Sequence, residues 1–424
     1  MRRTMRAMSR APCPPSSRGS SLPLEPSWPR ELQILLGPDA AEFTTEYFGV
    51  LGGDVVECRP RQVAYRPGRS STVRYDVRVR WADAEERIEP LVAIVAGSLP
   101  DGATRMGRSD TEVALWHWPN DPLLPGLPAA LDPGHVERLF GELGLGGGTV
   151  TLRVRAYRPG RRAVIEADNG RVRVYLKVVR PHRAAALHET HRLLADALPV
   201  PDSIGWTDDG IVVLPGLAGS TLREVLRNGG ALPDPAEIDT LLDRLPVELI
   251  DGRRRPDRMT SARHHAEVIG ATVPVAAAAG HDLVAQLTER RHLVLDHQVV
   301  AAHGDMYESQ LMVQHGRITG LLDVDTAGAG HRVDDIANFC AHLSVLAMVT
   351  RQADDIRRYG SRLLAHAETT HDRADLRLRI AAAVFGLATG SFRVLEPDWE
   401  MHTLDRIDLA ARWMASADRA RSSS

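Results

Sequence analysis

The chain has 424 residues, 43% of them hydrophobic and 25% charged, an ordinary globular composition. Its formal net charge of −3 argues against a general polyanion or nucleic-acid binder, and no apolar run approaches the ~18 residues of a membrane span. The three cysteines, Cys13, Cys58 and Cys340, are far apart and make no CxxC pair, which argues against a disulfide scaffold and a structural zinc site.

Residues 1–30 are rich in Arg, Ser and Pro and read as a disordered tail. They hold no apolar stretch of the secretory kind, so a cytoplasmic location is expected. Residues 31–148 read as an α+β unit. A short helix is predicted over 30–36. In 71–81, Val73, Tyr75, Val77, Val79 and Trp81 fall on one face of a strand. Residues 91–96 form a more buried strand, and 116–122 are rich in turn formers. A helix near 133–143 precedes the glycine run 144–148, which does not complete GxGxxG and reads as a linker.

The segment Ala64-Tyr65-Arg66-Pro67-Gly68-Arg69 returns 92 residues later as Ala156-Tyr157-Arg158-Pro159-Gly160-Arg161. Each copy sits on a Pro-Gly turn between strand-like runs, which favours a duplicated β unit. Strands are predicted over 151–157, 163–167 and 172–179, the last two joined through Asn169-Gly170. A helix over 183–198 ends at Pro199 and Pro201, and 211–214 is a buried strand. From 234 the chain is mainly helical, apart from a hairpin region at 299–325. The helix after it, near Asp334, shows Ile336, Phe339, Cys340, Leu343 and Ala347 on one face.

Two observations point to chemistry. Beside 51 arginines stands one lysine, Lys177, placed mid-strand, where a charge belongs only if it faces a cleft. The hairpin region carries His303-Gly304-Asp305, then Gln310, then Leu322-Asp323-Val324-Asp325. The hairpin brings Asp323 back beside Asp305 and Gln310. Hard oxygen ligands without Cys or His suit Mg²⁺, and a second carboxylate can accept a hydroxyl proton. Lys177 is a compact point charge fit for phosphate oxygens, and Glu189, on the next helix, is its expected partner.

This pattern resembles the aminoglycoside phosphotransferase-like family, relatives of protein kinases that include choline kinases and maltokinases. The family reads H-x-D-x-x-x-x-N, then an apolar strand ending in Asp, then D-[IL]-A. Here these are His303, Asp305 and Gln310, then Leu321-Leu322-Asp323, then Asp335-Ile336-Ala337. The resemblance covers about 150–400. It implies an α+β, protein-kinase-like bilobal fold, with a small lobe at 149–219 and a helical catalytic lobe at 220–424. Ahead of them, 31–148 would be a cap, derived as a degenerate copy of the small lobe and without the Lys needed to bind ATP productively.

The implied roles are Asp305 as catalytic base, His303 as support of its loop, and Asp335 as a brace for that loop. Asp323 and Gln310 would ligate Mg²⁺, Gln310 standing where the family has Asn. Lys177 with Glu189 would bind ATP phosphates. The nucleotide-covering turn has one glycine, so phosphate contacts there would rely on arginine, Arg161 being the candidate. The expected activity is ATP- and Mg²⁺-dependent phosphoryl transfer to a hydroxyl of a small molecule: an aminoglycoside, sugar or amino alcohol. No obligate protein partner is implied. A non-catalytic nucleotide-binding pseudokinase is the alternative. A DxDxT phosphatase is disfavoured because Thr326 comes one residue too early, a P-loop because Leu176 precedes the lysine, and HExxH zinc because His188 and His191 are i, i+3.

Overall fold

The computed structural model describes residues 25–108, 110–252 and 258–422. The segment 1–24, with most of the expected tail and Cys13, lies outside them. Trp28, which composition assigns to the tail, is instead buried. Its indole N–H donates to the Thr272 carbonyl at 3.0 Å and its ring meets Phe392 edge-on.

Helices α1 (Arg30–Leu36) and α2 (Pro38–Val50) come first, Pro38 occupying the first turn of the second. Five antiparallel strands follow: β1 (Asp54–Arg66), β2 (Ser70–Arg80), β3 (Glu86–Ala96), β4 (Thr104–Arg108) and β5 (Thr111–His117), ordered β1-β2-β3-β5-β4. Val73, Tyr75, Val77 and Val79 are fully buried on one face, the outcome the alternation predicts. The strand β5 extends to His117, so the turn-rich segment starts later than its composition suggested. Helices α3 (Leu127–Ala130) and α4 (Pro133–Glu142) complete this N-terminal unit, with Asp132 capping α4 through the His135 amide.

The small lobe repeats the pattern. Strands β6 (Thr151–Arg158), β7 (Arg162–Asp168), β8 (Arg173–Val179), β9 (Gly205–Trp206) and β10 (Ile211–Pro215) form an antiparallel sheet ordered β6-β7-β8-β10-β9. Counted within each sheet, the two orders are identical. In both, the first hairpin closes on Arg-Pro-Gly-Arg, with φ +64° at Gly68 and +63° at Gly160. The Arg69 amide donates to the Arg66 carbonyl and the Arg161 amide to that of Arg158. Pro second and a positive-φ Gly third is the type II turn pattern.

Helix α5 (Ala184–Ala195) lies between β8 and β9 in sequence. Alternation along β8 sends Val174, Leu176 and Val178 into a core shared with Val92, Trp116 and Phe140 of the N-terminal unit. Tyr175, Lys177 and Val179 take the opposite face, where Val179, Val212 and Leu214 pack with Ala184 and Leu187 of α5.

After the connector, β11 (Ser220–Thr221) joins the hairpin β13 (Leu311–Gln314)–β14 (Arg317–Leu321), while β12 (Val300–Ala302) pairs with β15 (Gly328–Gly330). The rest of the large lobe is helical: α6 (Leu222–Asn228), α7 (Pro235–Asp243), α8 (Arg258–Thr272), α9 (Ala277–Glu289), α10 (Arg332–Val349), α11 (Ala353–Ala367), α12 (Arg373–Gly386), α13 (Gly390–Arg393) and α14 (Trp399–Ser422). The buried face of α10 holds Ile336, Phe339, Cys340, Leu343 and Ala347. The whole is a bilobal α+β fold. None of the described helices is long and apolar enough to cross a membrane.

Candidate active site

Lys177 sits in the middle of the small-lobe sheet, opposite Val164 on one side and Val212 on the other. Its ammonium is almost fully buried and crosses to the large lobe. It donates to Asp323 Oδ1 at 3.0 Å and closely pairs with Asp325 Oδ1. Arg162, at the start of β7, makes a bidentate contact with the same Asp323, at 2.7 and 2.9 Å. Such a fork is the strong, directional form of the guanidinium–carboxylate bond.

Asp323 follows β14 with its backbone in the left-handed region, φ +53°, a conformation Asp tolerates better than most side chains. Burial works to raise its carboxyl pKa, but the Lys177 and Arg162 charges outweigh that and hold it well below the usual range. Arg162 responds reciprocally: burial would lower it, and the two aspartates raise it.

Asp335, at the start of α10, is fully buried. The His303 and Gly304 amides donate to its two carboxylate oxygens, both at 2.7 Å, the bracing expected of it. Burial raises its pKa despite those bonds. The His303 ring bonds the Leu322 carbonyl through Nε2 at 2.9 Å and accepts from the Asp305 amide through Nδ1 at 3.3 Å. One imidazole therefore ties the Asp305 loop to the residue before Asp323. Asn338 adds a bond to the Met306 carbonyl. Asp305 itself lines a polar cavity of about 180 Å³ with Arg258, His265, His331 and Asp334. A larger cavity, about 540 Å³ between α10, α11 and α14, holds none of these residues.

Gln310 is buried at the start of β13, and its backbone carbonyl accepts from the Leu322 amide at 2.7 Å, which places it beside Asp323. Among the described residues no group of three His, Cys, Asp or Glu side chains is set to hold a metal. Asp323 and Asp325 nevertheless converge on one cation. Their carboxylates are hard oxygen donors of the kind that suits Mg²⁺, an ion that completes its shell with water and phosphate oxygens.

Residues 158–376 match the family described as the phosphotransferase enzyme family. The chain belongs to this family. No curated protein matches it. Among solved structures, the chain is similar to the aminoglycoside phosphotransferase APH(4)-Ia at 16% identity and TM-score 0.48, covering 66% of this chain and 98% of that one. It is also similar to macrolide 2'-phosphotransferase MphH from Brachybacterium faecium, at 19% identity and TM-score 0.42, covering 65% and 97%. Choline kinase from Cryptosporidium parvum Iowa II matches at 11% identity and TM-score 0.42, covering 62% and 88%.

One expectation for this phosphotransferase-family chain fails. Glu189 is exposed on α5 and makes no ion pair with Lys177, whose partners are Asp323 and Asp325. The helix buries Ala184, Leu187, His191 and Leu194, a 3.6-residue phase that leaves Glu189 on the opposite side. His191 takes the inward position. Burial first, and the nearby Lys177 charge second, lower its pKa, and its Nε2 has no hydrogen-bond partner. Two residues of the site escaped the sequence reading. Asp325 resembled a turn residue, and Arg162 was one arginine among many; only its place directly after the Arg-Pro-Gly-Arg turn marked it. Arg161, the expected phosphate ligand, is solvent-accessible and bonds no carboxylate among the described residues.

Proposed function

We propose that the protein is an ATP- and Mg²⁺-dependent kinase that moves the γ-phosphoryl group to a hydroxyl of a small molecule. The observation that carries this is the meeting of the Lys177 ammonium with Asp323 and Asp325 across the two lobes, beside an Asp305 loop pinned by Asp335 and His303. Lys177 would exchange a carboxylate for phosphate oxygens. Asp323, Gln310 and Asp325 would hold Mg²⁺, which supplies charge neutralisation of the triphosphate. Asp305 would orient the acceptor hydroxyl and take its proton as oxygen attacks the γ-phosphorus and the β–γ bridge bond breaks, leaving ADP. Positioning and charge, rather than covalent chemistry by the protein, supply the rate.

The fork of Arg162 on Asp323 favours a second reading, a nucleotide-binding protein without transfer. One experiment separates the two. Labelled ATP, Mg²⁺ and hydroxyl compounds are incubated with wild type and Asp305→Ala, and AMP-PNP binding is measured for both. The kinase reading expects transfer to fall by about 10²-fold or more with AMP-PNP affinity nearly unchanged. Equal behaviour of the two proteins in transfer refutes the base assignment, and nucleotide binding without any turnover favours the pseudokinase.

A further inference from the structure

Three carboxylates line the polar cavity of about 180 Å³ beside the Asp305 loop, and two of them are already satisfied. Asp334 is tied to the buried Arg379 at 2.9 Å, and both oxygens of Asp335 accept backbone amides. Asp305 differs. Its amide donates to His303, but its carboxylate has no hydrogen bond or ion pair among the described residues. The wall of the same cavity formed by α8 carries Arg258, Ser261 and His265, whose spacing puts them on one face of that helix. Arg258 is half-buried and forms no ion pair among the described residues. The His265 ring has no hydrogen-bond partner among them either. Burial first, then the His264 and Arg258 charges, hold it at about 4, so at neutral pH it is an uncharged donor and acceptor.

Arg258 and Asp305 thus share a cavity without pairing with each other. A charge that is partly withdrawn from water and left without a partner is costly, and a complementary ligand between the two would recover that cost. Such a ligand presents an anionic group to the guanidinium and a hydroxyl to the carboxylate. The cavity is smaller than the ~300–1,000 Å³ of pockets that take drug-sized ligands, so the ligand that fills it is compact. An amine at the Arg258 end would set like charges against each other.

We propose that the phosphoryl acceptor is a compact hydroxy acid of a few carbons, seated in this cavity with its carboxylate on Arg258 and its hydroxyl on Asp305. This rests on the kinase reading above and makes Arg258 the residue that selects the acceptor. The planar guanidinium fork suits both oxygens of a carboxylate, and the neutral His265 ring can bond a second hydroxyl without competing for it. The acceptor oxygen bonds to the γ-phosphorus as the β–γ bridge bond breaks. Its proton passes to Asp305, ADP leaves, and the product is a phosphate monoester of the hydroxy acid.

The test is calorimetry on the full chain saturated with AMP-PNP and Mg²⁺, with glycerate as the probe and glycerol as its neutral counterpart. The wild type, Arg258→Gln and Arg258→Lys are compared. Glycerate should bind the wild type roughly tenfold or more tightly than glycerol, Arg258→Gln should abolish that preference, and Arg258→Lys should keep part of it, with AMP-PNP affinity changed less than about twofold. Both variants should melt as the wild type does, because no ion pair is lost. With labelled ATP, the wild type should label hydroxy acids ahead of neutral polyols and aminoglycosides, and Arg258→Gln should raise the KM for them by roughly tenfold or more. Three results overturn the proposal while leaving the kinase reading intact: equal binding of glycerate and glycerol, a preference for glycerate that survives Arg258→Gln, or transfer confined to neutral or cationic acceptors. Failure of AMP-PNP to bind the wild type overturns both.

Discussion

Asp323 is shared between two cations, and this sets a competition. Any metal that uses its carboxylate must displace the Arg162 fork, while Lys177 can turn to phosphate. Replacing Arg162 by Gln removes the competitor without touching the donor set. We expect the Mg²⁺ concentration for half-maximal AMP-PNP binding to fall by about three- to tenfold, as releasing a partly buried pair of ~1 kcal/mol implies. An unchanged Mg²⁺ requirement would show that the fork does not guard the site. At this scale the sequence was readable where chemistry forces spacing: the return of Asp323 beside the His303–Asp305 loop and the inward-facing Lys177 both match the geometry. Asp325 and Arg162 were not readable, because their roles depend on which lobe faces which. Glu189 misled because its distance from Lys177 was counted without the helix phase, which Leu187, His191 and Leu194 already set.

The β6–β7 turn is held from outside its own lobe. Asp121, buried in the N-terminal unit, accepts from the Gly160 amide at 2.7 Å and from the Tyr157 hydroxyl at 2.9 Å, while its other oxygen accepts from the Leu123 amide at 3.0 Å. Trp116 donates its indole N–H to the same tyrosine oxygen, and Leu123 sits where a Cβ on Gly160 would fall. Three donors meet one carboxylate, so an amide at this position would set an NH₂ against a donor. Asp121→Asn should leave one bond unmade, costing about 1–3 kcal/mol. Amide hydrogen exchange at Gly160 should then quicken by roughly tenfold or more. Unchanged protection there would mean that the turn is held by its own type II geometry. Elements whose alternation was clean, such as β2 and β8, could be read from the sequence. The first strand could not: Pro60 interrupts it, and the structure tolerates that proline only because β1 is an edge strand with a register shift at Pro60. The matching strand orders of the two sheets, invisible in sequence beyond six residues, are what duplication of a small-lobe sheet would leave behind.

At the scale of the whole molecule, the N-terminal unit touches both lobes, through Trp28 on Thr272 and Phe392 and through Trp116 and Asp121 on the small-lobe turn. Stability of the large lobe carries a pH signature. His342 stacks on Tyr307 at 4.2 Å, and burial with Arg258 and Arg223 lowers its pKa to about 3. Burial, His264 and Arg258 lower His265 to about 4. Both values lie below the ~6.5 of an unfolded histidine, so between those limits the unfolded chain binds more protons. Their contribution is complete above pH ~6.5 and fades as pH falls, by up to about 1.4 kcal/mol per pH unit for each ring. Urea midpoints should therefore drop from pH 6.5 to pH 5, and His342→Phe, which keeps a ring on Tyr307, should flatten that slope. Parallel curves for variant and wild type would remove His342 from the account. The buried lysine has a practical sequel. A side-chain amine occurs once in this chain, so on the kinase reading a nucleotide analogue carrying an amine-acylating group has a single side-chain address to mark, and the mass of the whole protein becomes a direct count of occupied sites.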